Sequence, residues 1–430
     1  MANMLDYLIW RGDIPLQMIP WNEIDALIAA TVCYLDFHGV QDHRGWSLEE
    51  MHRLELLQEG NSPAFPKRKE VFEKAAECER FRDMRIHHAI TLTDEEIAMQ
   101  FAALCLDIPD GTTCVAFRGT DNTIVGWRED FDMAYQTRVP AQEAAVLYLR
   151  RAAELSERPL RIVGHSKGGN LAVYAAASVS EDVQDRIEGI WSFDGPGMNR
   201  EMSQTEGFLR IKGKIRSFIP QTSIIGLLMD YYEPYTVVHS TSSGISQHEP
   251  MSWQLDGPRF EVREDVDQTA KVTRDTLHDW LRNSTPEQRA DFVDTLFRLV
   301  DTTKATRMSE LTGEKWKSLI TMVGNRKEVN PEVRRTFNRL IAQAVTLGFG
   351  NVIERVRGQK KPDEEADWET MSPEKRQEIQ AARRQQAEAE AAAAAAAADA
   401  EAAPEPAPEE APKDPGNLSG KDEPQEENHP

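Results

Sequence analysis

Apolar and polar positions along the chain switch repeatedly between a helical and an extended period. From Asn22, residues Ile24, Leu27 and Ile28 open an apolar helical face that continues through Val32 and Leu35, and residues 1–60 read mainly as helix. A charged stretch broken by Pro63 and Pro66 follows. Residues 86–118 carry strand-like runs that end in Thr113-Cys114-Val115-Ala116-Phe117. Residues 141–157 return to a helical pattern that stops near Pro159. Next come Leu160, Ile162 and Val163, then an alanine-rich segment, Leu171 to Ala177. Short runs recur at Ile190–Phe193, Ile215–Ile219 and Tyr235–Val238. Strands alternating with helices in this way predict parallel βα units and a three-layer α/β domain over residues 1–265.

The pattern then becomes helical over residues 266–356. Thr285-Pro286-Glu287-Gln288 places Thr at the N-cap, Pro at the first helical position and Gln at N3. Phe292, Leu296 and Leu299 then share one face. Asn330-Pro331 starts a further helix carrying Phe337, Leu340, Ile341 and Ala344. This helical appendage holds no cluster of reactive side chains, and its apolar faces are expected to pack on each other or on the α/β core. Residues 357–430 are low in complexity. Ser372-Pro373-Glu374 caps an expected solvated helix through the alanine run 391–398, and residues 404–430 are expected to be disordered.

Charge narrows the choice of partners. The 430 residues carry a formal charge of −22, and residues 401–430 alone hold nine acidic against two basic side chains. Nucleic acid and anionic membrane are therefore not expected partners. Cys33, Cys78, Cys105 and Cys114 are scattered and form no C-x-x-C pair, so buried free thiols are expected, not a disulfide framework or a metal site. No apolar run approaches the roughly 18 residues that a membrane span requires. Residues 1–6 lack a basic segment leading into an apolar one, and a cytoplasmic location is expected.

The chemistry is concentrated at Gly164-His165-Ser166-Lys167-Gly168-Gly169-Asn170, between the Leu160–Val163 run and the alanine-rich helix. G-x-S-x-G between a strand and a helix is the setting of a nucleophile elbow, which lifts the serine hydroxyl above the C-terminal edge of a parallel sheet. Ser166 is the candidate nucleophile, and the Lys167 N–H would face an oxyanion formed there. A second donor is expected from Phe117-Arg118-Gly119-Thr120, where Thr120 follows a strand and a permissive glycine. Four histidines follow Ser166: His239, His248, His278 and His429. His248 lies in a loop after the last strand, where the base of such a site belongs, and His239, at a strand end, is the alternative. For the orienting acid, Asp194 at the end of the Ile190–Phe193 run is preferred to Asp230, because a strand end holds a side chain more rigidly than a loop does.

Phe117-Arg118-Gly119-Thr120, Trp127 with Asp130, and Gly164-His165-Ser166-Lys167-Gly168-Gly169 together resemble the oxyanion and elbow motifs of the class 3, fungal-type lipases. Asp6-Tyr7-Leu8-Ile9-Trp10-Arg11-Gly12-Asp13, Ser192-Phe193-Asp194-Gly195-Pro196-Gly197 and Gln247-His248-Glu249-Pro250-Met251-Ser252-Trp253 resemble a narrower group. That group is a set of bacterial lipase-like α/β-hydrolases catalogued as a domain of unknown function. The resemblance spans roughly residues 3–256. It implies an α/β-hydrolase core with a helical N-terminal extension. It also implies Ser166 as nucleophile, Thr120 and Lys167 as oxyanion donors and His248 as base. The sequence departs from the lipase pattern twice. Lys167 replaces a usual leucine, which leaves the N–H intact and would make the pocket rim polar. Ser223 stands where those lipases carry the acid, which again favours Asp194.

The expected reaction is hydrolysis of a lipid or acyl ester through an acyl-enzyme on Ser166, without metal or cofactor. The apolar run Ile224–Met229 would be a lid, an acyl-chain wall or simply a core helix. A thioesterase, or a catalytically silent hydrolase-like scaffold, is the competing reading. The oligomeric state is open.

Overall fold

The computed structural model describes residues 2–301, apart from residues 38–39, 41–44, 61, 122, 134–135, 137, 224 and 243. The expected helix after Asn330-Pro331, the Ser372 cap and the acidic tail lie outside the described residues. Strands β1 (Trp46–Ser47), β2 (Arg85–Asp94), β3 (Met99–Asp107), β4 (Thr113–Phe117), β5 (Leu160–His165), β6 (Ile187–Phe193), β7 (Ile215–Pro220) and β8 (Tyr235–Val238) lie side by side in chain order. Two more short strands, β9 (Leu255–Asp256) and β10 (Arg259–Phe260), form a separate hairpin, and β11 (Val262–Arg263) closes the main sheet beside β8. Strands β4 to β8 are parallel, and the strands outside them pair antiparallel. This is the mixed α/β core expected from the alternating pattern.

Strand order explains why the chain needs its N-terminal helices. Crossovers between neighbouring parallel strands are right-handed, so a run of strands laid down in one direction sends every crossover helix to the same face. Helices α6 (Pro140–Leu155), α7 (Lys167–Ser178), α8 (Glu181–Asp185) and α10 (Glu206–Ile211) arise in these crossovers. Residues from them pack with Phe101, Val115, Phe117, Ile162 and Ile190 in one apolar layer. Two other crossover helices, α5 (Ile124–Met133) and α9 (Arg200–Ser203), flank it. The opposite face carries Leu104, Ala116, Val163, Phe193 and Phe218, and it is covered from outside the crossovers. Helices α1 (Met4–Arg11), α2 (Glu23–Val32), α3 (Leu48–Arg53) and α4 (Phe65–Glu77) supply that cover together with Trp253 and Phe260, which pack on Phe193 and Phe218. The N-terminal segment is therefore a layer of the sandwich.

Local signals place the ends of these helices. Asn22 Oδ1 accepts from the N–H groups of Ile24 and Asp25 at 2.8 and 3.2 Å, and Asp25 Oδ2 accepts from Asn22 N at 2.9 Å. This capping box starts α2 one residue after Asn22. The Asp25 carboxylate has a second task. It pairs with Arg80, whose Nε and Nη2 donate to its two oxygens at 2.8 and 2.5 Å, and both side chains are fully buried. Arg80 also donates to the carbonyls of Ile14, Ile19 and Pro20, and Tyr7 Oη donates to Asp25 Oδ1 at 2.8 Å. The buried Asp25–Arg80 pair thus fastens α2 and the α1–α2 connection to the segment that enters β2, and reaches α1 through Tyr7.

Beyond the sheet, α11 (Gln268–Asn283) and α12 (Pro286–Asp301) begin the helical appendage. Thr285 and Gln288 form the anticipated reciprocal cap. Both helices pack on the core. Phe297 meets Phe131 of α5 edge to face at 5.8 Å, and Arg128 donates to Asp294 at 2.6 Å. All four cysteines are free, and Cys33, Cys105 and Cys114 are buried. Among the described residues, no helix is long and apolar enough to cross a membrane.

Candidate active site

Strand β5 ends at His165 and α7 begins at Lys167, leaving Ser166 alone at the turn with a φ of 60° and a ψ of −135°. Such a backbone conformation is costly for a residue with a Cβ and is the strain expected of a nucleophile elbow. The flanking glycines are demanded by contact. A Cβ on Gly168 would lie 2.1 Å from the Phe117 carbonyl oxygen, and one on Gly164 would lie 2.0 Å from that of Gly168. Gly119 brings the next segment in: a Cβ there would be 2.1 Å from Tyr34 Oη and 2.8 Å from Ser166 Cβ. The Arg118–Thr120 turn therefore lies against the elbow. Ser166 is 7 % exposed, and its hydroxyl makes no hydrogen bond among the described contacts.

Asp194 leaves the neighbouring strand at the same level. Ser166 N donates to the carbonyl of Phe193 at 2.9 Å, and Asp194 N donates to that of Phe218 at 2.7 Å. The Asp194 side chain is 1 % exposed. Its Oδ2 accepts from His248 Nδ1 at 2.6 Å. Its Oδ1 accepts from Ser223 Oγ, and from Gly226 N at 3.2 Å. With Nδ1–H committed to the carboxylate, Nε2 of a neutral His248 is left as the accepting nitrogen.

His248 sits on a loop held from two sides. Trp253 Nε1, buried, donates to the Gln247 carbonyl at 2.7 Å, and Gln247 Oε1 accepts from Thr222 N at 2.9 Å. His165 Nε2 donates to the His248 carbonyl at 2.8 Å, and the two imidazoles lie face to face, 4.6 Å apart and tilted by 33°. Because a carbonyl only accepts, Nε2 of His165 carries the proton and Nδ1 accepts from Tyr34 Oη at 2.9 Å. Burial, together with neighbouring His248 and Arg68, holds the His165 pKa well below the usual imidazole range, so it stays neutral. Arg68 lies 3.8 Å over the Tyr34 ring and 3.5 Å from Glu249. The N-terminal layer thus reaches the histidine that braces His248.

The side chains of Thr120 and Lys167 both turn to carboxylates of α5. The Thr120 hydroxyl donates to the Asp130 carboxylate, 2.7 and 2.6 Å from its two oxygens. Burial pushes Asp130 up to about 6, opposed by the Lys167 ammonium and by the Thr120 hydrogen bond. Lys167 does not make the pocket rim polar. Its side chain is 1 % exposed and turns inward, because Glu129, Gln100 O and Gln100 Oε1 offer it three acceptors at 2.8, 2.8 and 3.0 Å.

The alternative candidates have other partners. His239 Nδ1 lies 3.0 Å from Glu261 Oε1. Asp230 Oδ1 lies 3.4 Å from His278 Nδ1, and that histidine is largely buried, its Nε2 3.2 Å from the Leu227 carbonyl. Of the Ile224–Met229 run, Gly226–Leu228 forms a single 3₁₀ turn, and Leu227 is buried with Ile219, Val237, Val266 and Ala270. It is a packed turn that supports Asp194. Leu227 and Met229 also line a cavity of about 450 Å³, but Asp230, Arg274, Asp275 and Asp279 line it too, so it is no apolar acyl channel.

Three residues that touch this site gave little sign of it in the sequence. Tyr34 lies 131 positions before His165, with no local pattern to connect them. Ser223 was visible only as a missing acid, yet its hydroxyl donates to Asp194 at the end of the neighbouring strand β6. Glu129 stands beside Asp130, and only the inward turn of Lys167 reveals its partner. Ser223→Ala removes a buried donor to a charged oxygen and is expected to lower any Asp194-dependent turnover on the order of tenfold. Steady-state kcat at unchanged KM on p-nitrophenyl butyrate checks this; equal kcat removes Ser223 from the site.

Strand order, elbow and flanking helices define an α/β-hydrolase fold. The sequence model of the Mbeg1-like family matches residues 75–298, more than half of the chain, and the chain belongs to that family. Similar solved structures include a fungal lipase–inhibitor complex used as a model for interfacial activation. It is 16% identical, with 37% of this chain and 68% of that chain covered and a TM-score of 0.27. A triacylglycerol lipase from Penicillium expansum is 16% identical over 41% of this chain and 76% of that chain, with a TM-score of 0.28. The M37 lipase is 14% identical over 48% and 70%, with a TM-score of 0.31. No curated protein matches the sequence.

Proposed function

We propose that the protein is a serine hydrolase that cleaves carboxylic esters through an acyl-enzyme on Ser166. The observation that carries this reading is the hydrogen bond of His248 Nδ1 to the buried carboxylate of Asp194, beside a serine in an elbow conformation. His248 Nε2 takes the Ser166 proton as Oγ attacks the ester carbonyl. The same nitrogen protonates the departing alkoxide, then activates the water that releases the acid. Asp194 holds the imidazole and stabilises its charged form. The N–H groups of Thr120 and Lys167 receive the negative oxygen of each tetrahedral intermediate. No step calls for a group beyond these side chains and water.

A fluorophosphonate probe tests the reading. Wild type is expected to label stoichiometrically and Ser166→Ala not at all, with matching loss of p-nitrophenyl ester hydrolysis. Failure of the wild-type protein to label or to turn over any ester would leave a silent scaffold. Faster turnover of acyl thioesters than of oxygen esters would make it a thioesterase instead.

A further inference from the structure

Glu129 and Asp130 are neighbours on α5, and each grips a different residue of the proposed oxyanion site. Asp130 accepts the Thr120 hydroxyl, whereas Glu129 Oε2 accepts from Lys167 Nζ at 2.8 Å. Both members of the second pair are 1 % exposed. Glu129 is held further. Its Oε2 accepts from Gln100 N at 3.1 Å, on β3. Its Oε1 accepts from Ala141 N at 2.9 Å, in the first turn of α6, where the helix dipole favours a carboxylate. Lys167 in turn has all three ammonium hydrogens matched to acceptors. A charged pair removed from water to this degree is a poor source of stability. Apolar residues of similar volume at such places are often equally stable or more stable. What this pair does, and an apolar contact would not, is set a direction and a distance. It runs from the residue after the nucleophile to the helix that also holds Thr120.

We propose that Glu129 and Lys167 are positioning residues. Their ion pair ties α5 to the nucleophile elbow, so that the N–H groups of Lys167 and Thr120 converge on one oxyanion. The proposal rests on the ester-hydrolase reading above. It also makes α5 a fixed bar and not a swinging lid. The helix is fastened to β3, α6 and the elbow from within, and to α12 through Phe131–Phe297 and Arg128–Asp294 from outside.

The test is a neutral replacement of both charges, Lys167→Met with Glu129→Gln, assayed beside wild type for fluorophosphonate labelling, melting temperature, kcat and KM on p-nitrophenyl butyrate. The expected result is a melting temperature within a few degrees of wild type, a KM within about twofold and a kcat lower by about 10²-fold, the cost of misplacing an oxyanion donor. A purely structural pair would leave kcat unchanged wherever the melting temperature is retained, and that outcome overturns the proposal. If the double variant does not fold, Glu129→Asp decides. It keeps the charge but shortens the arm by one methylene: reduced kcat at unchanged KM and melting temperature supports positioning, and wild-type kcat overturns it. An unlabelled, inactive wild type sinks the hydrolase reading and this one with it. An active wild type whose variants match it sinks this one alone.

Discussion

Asp194→Asn is expected to lower kcat for ester hydrolysis about 10⁴-fold while leaving KM and the melting temperature close to wild type. The size follows from the contacts. Asp194 Oδ2 takes the Nδ1 proton of His248, and that bond leaves Nε2 as the accepting nitrogen. An amide presenting its NH₂ group to Nδ1 favours the other tautomer, with Nε2 protonated and unable to accept from a serine. Ser223 and Gly226 still bond the remaining oxygen, so the side chain keeps its place. His248→Ala is expected to cost a similar factor. The double variant should lose little more than either single one, because the residues act as a unit. Asp230→Asn, whose carboxylate faces His278, should stay within a few-fold of wild type. Single-turnover measurements of acylation on all four proteins check this. A larger loss from Asp230→Asn would move the acid to that residue, and near-normal turnover in His248→Ala would move the base to His239.

Arg80→Ala is expected to destabilise the fold by about 3–5 kcal/mol, because it leaves the Asp25 carboxylate buried without its counter-charge. It also strips the donor from three backbone carbonyls of the α1–α2 connection. The melting temperature should fall on the order of 10 °C. Lysine would not restore it, since an ammonium cannot reproduce the two-pronged contact with Asp25. Arg80→Met combined with Asp25→Leu should recover part of the loss, because it removes both charges together but leaves the α2 cap and the three carbonyls without their partners. Thermal and urea denaturation of the single and double variants measure this. Equal stability of Arg80→Ala and wild type would show that the pair carries no net weight. Activity should decline with the N-terminal layer, because Tyr34, just past α2, holds the imidazole of His165 against the His248 carbonyl.

Much of the architecture is legible along the chain because its signals are local. The runs at Thr113–Phe117, Leu160–Val163, Ile190–Phe193, Ile215–Ile219 and Tyr235–Val238 all fall within strands. Asn22 and Thr285 start helices through contacts spanning only three residues. The elbow is equally local: Gly164 and Gly168 are required by atoms within a few positions of them or on the adjacent strand. The geometry of Ser166 therefore follows from a short motif set between a strand and a helix.

Other features depend on residues far apart. Nothing near Lys167 says whether its ammonium faces solvent or Glu129, 38 positions earlier. The contact of Asp194 with His248 spans 54 positions, and that of Tyr34 with His165 spans 131. The role of residues 1–80 as a layer of the sandwich follows from strand order, since unidirectional right-handed crossovers leave one face of the sheet to be covered from elsewhere. Periodicity, capping and the elbow are set by neighbours along the backbone, and the sequence by itself determined them. Which carboxylate meets which cation or imidazole depends on how separate elements pack, because a charged side chain takes the partner that burial brings within reach. Only the tertiary structure decided that.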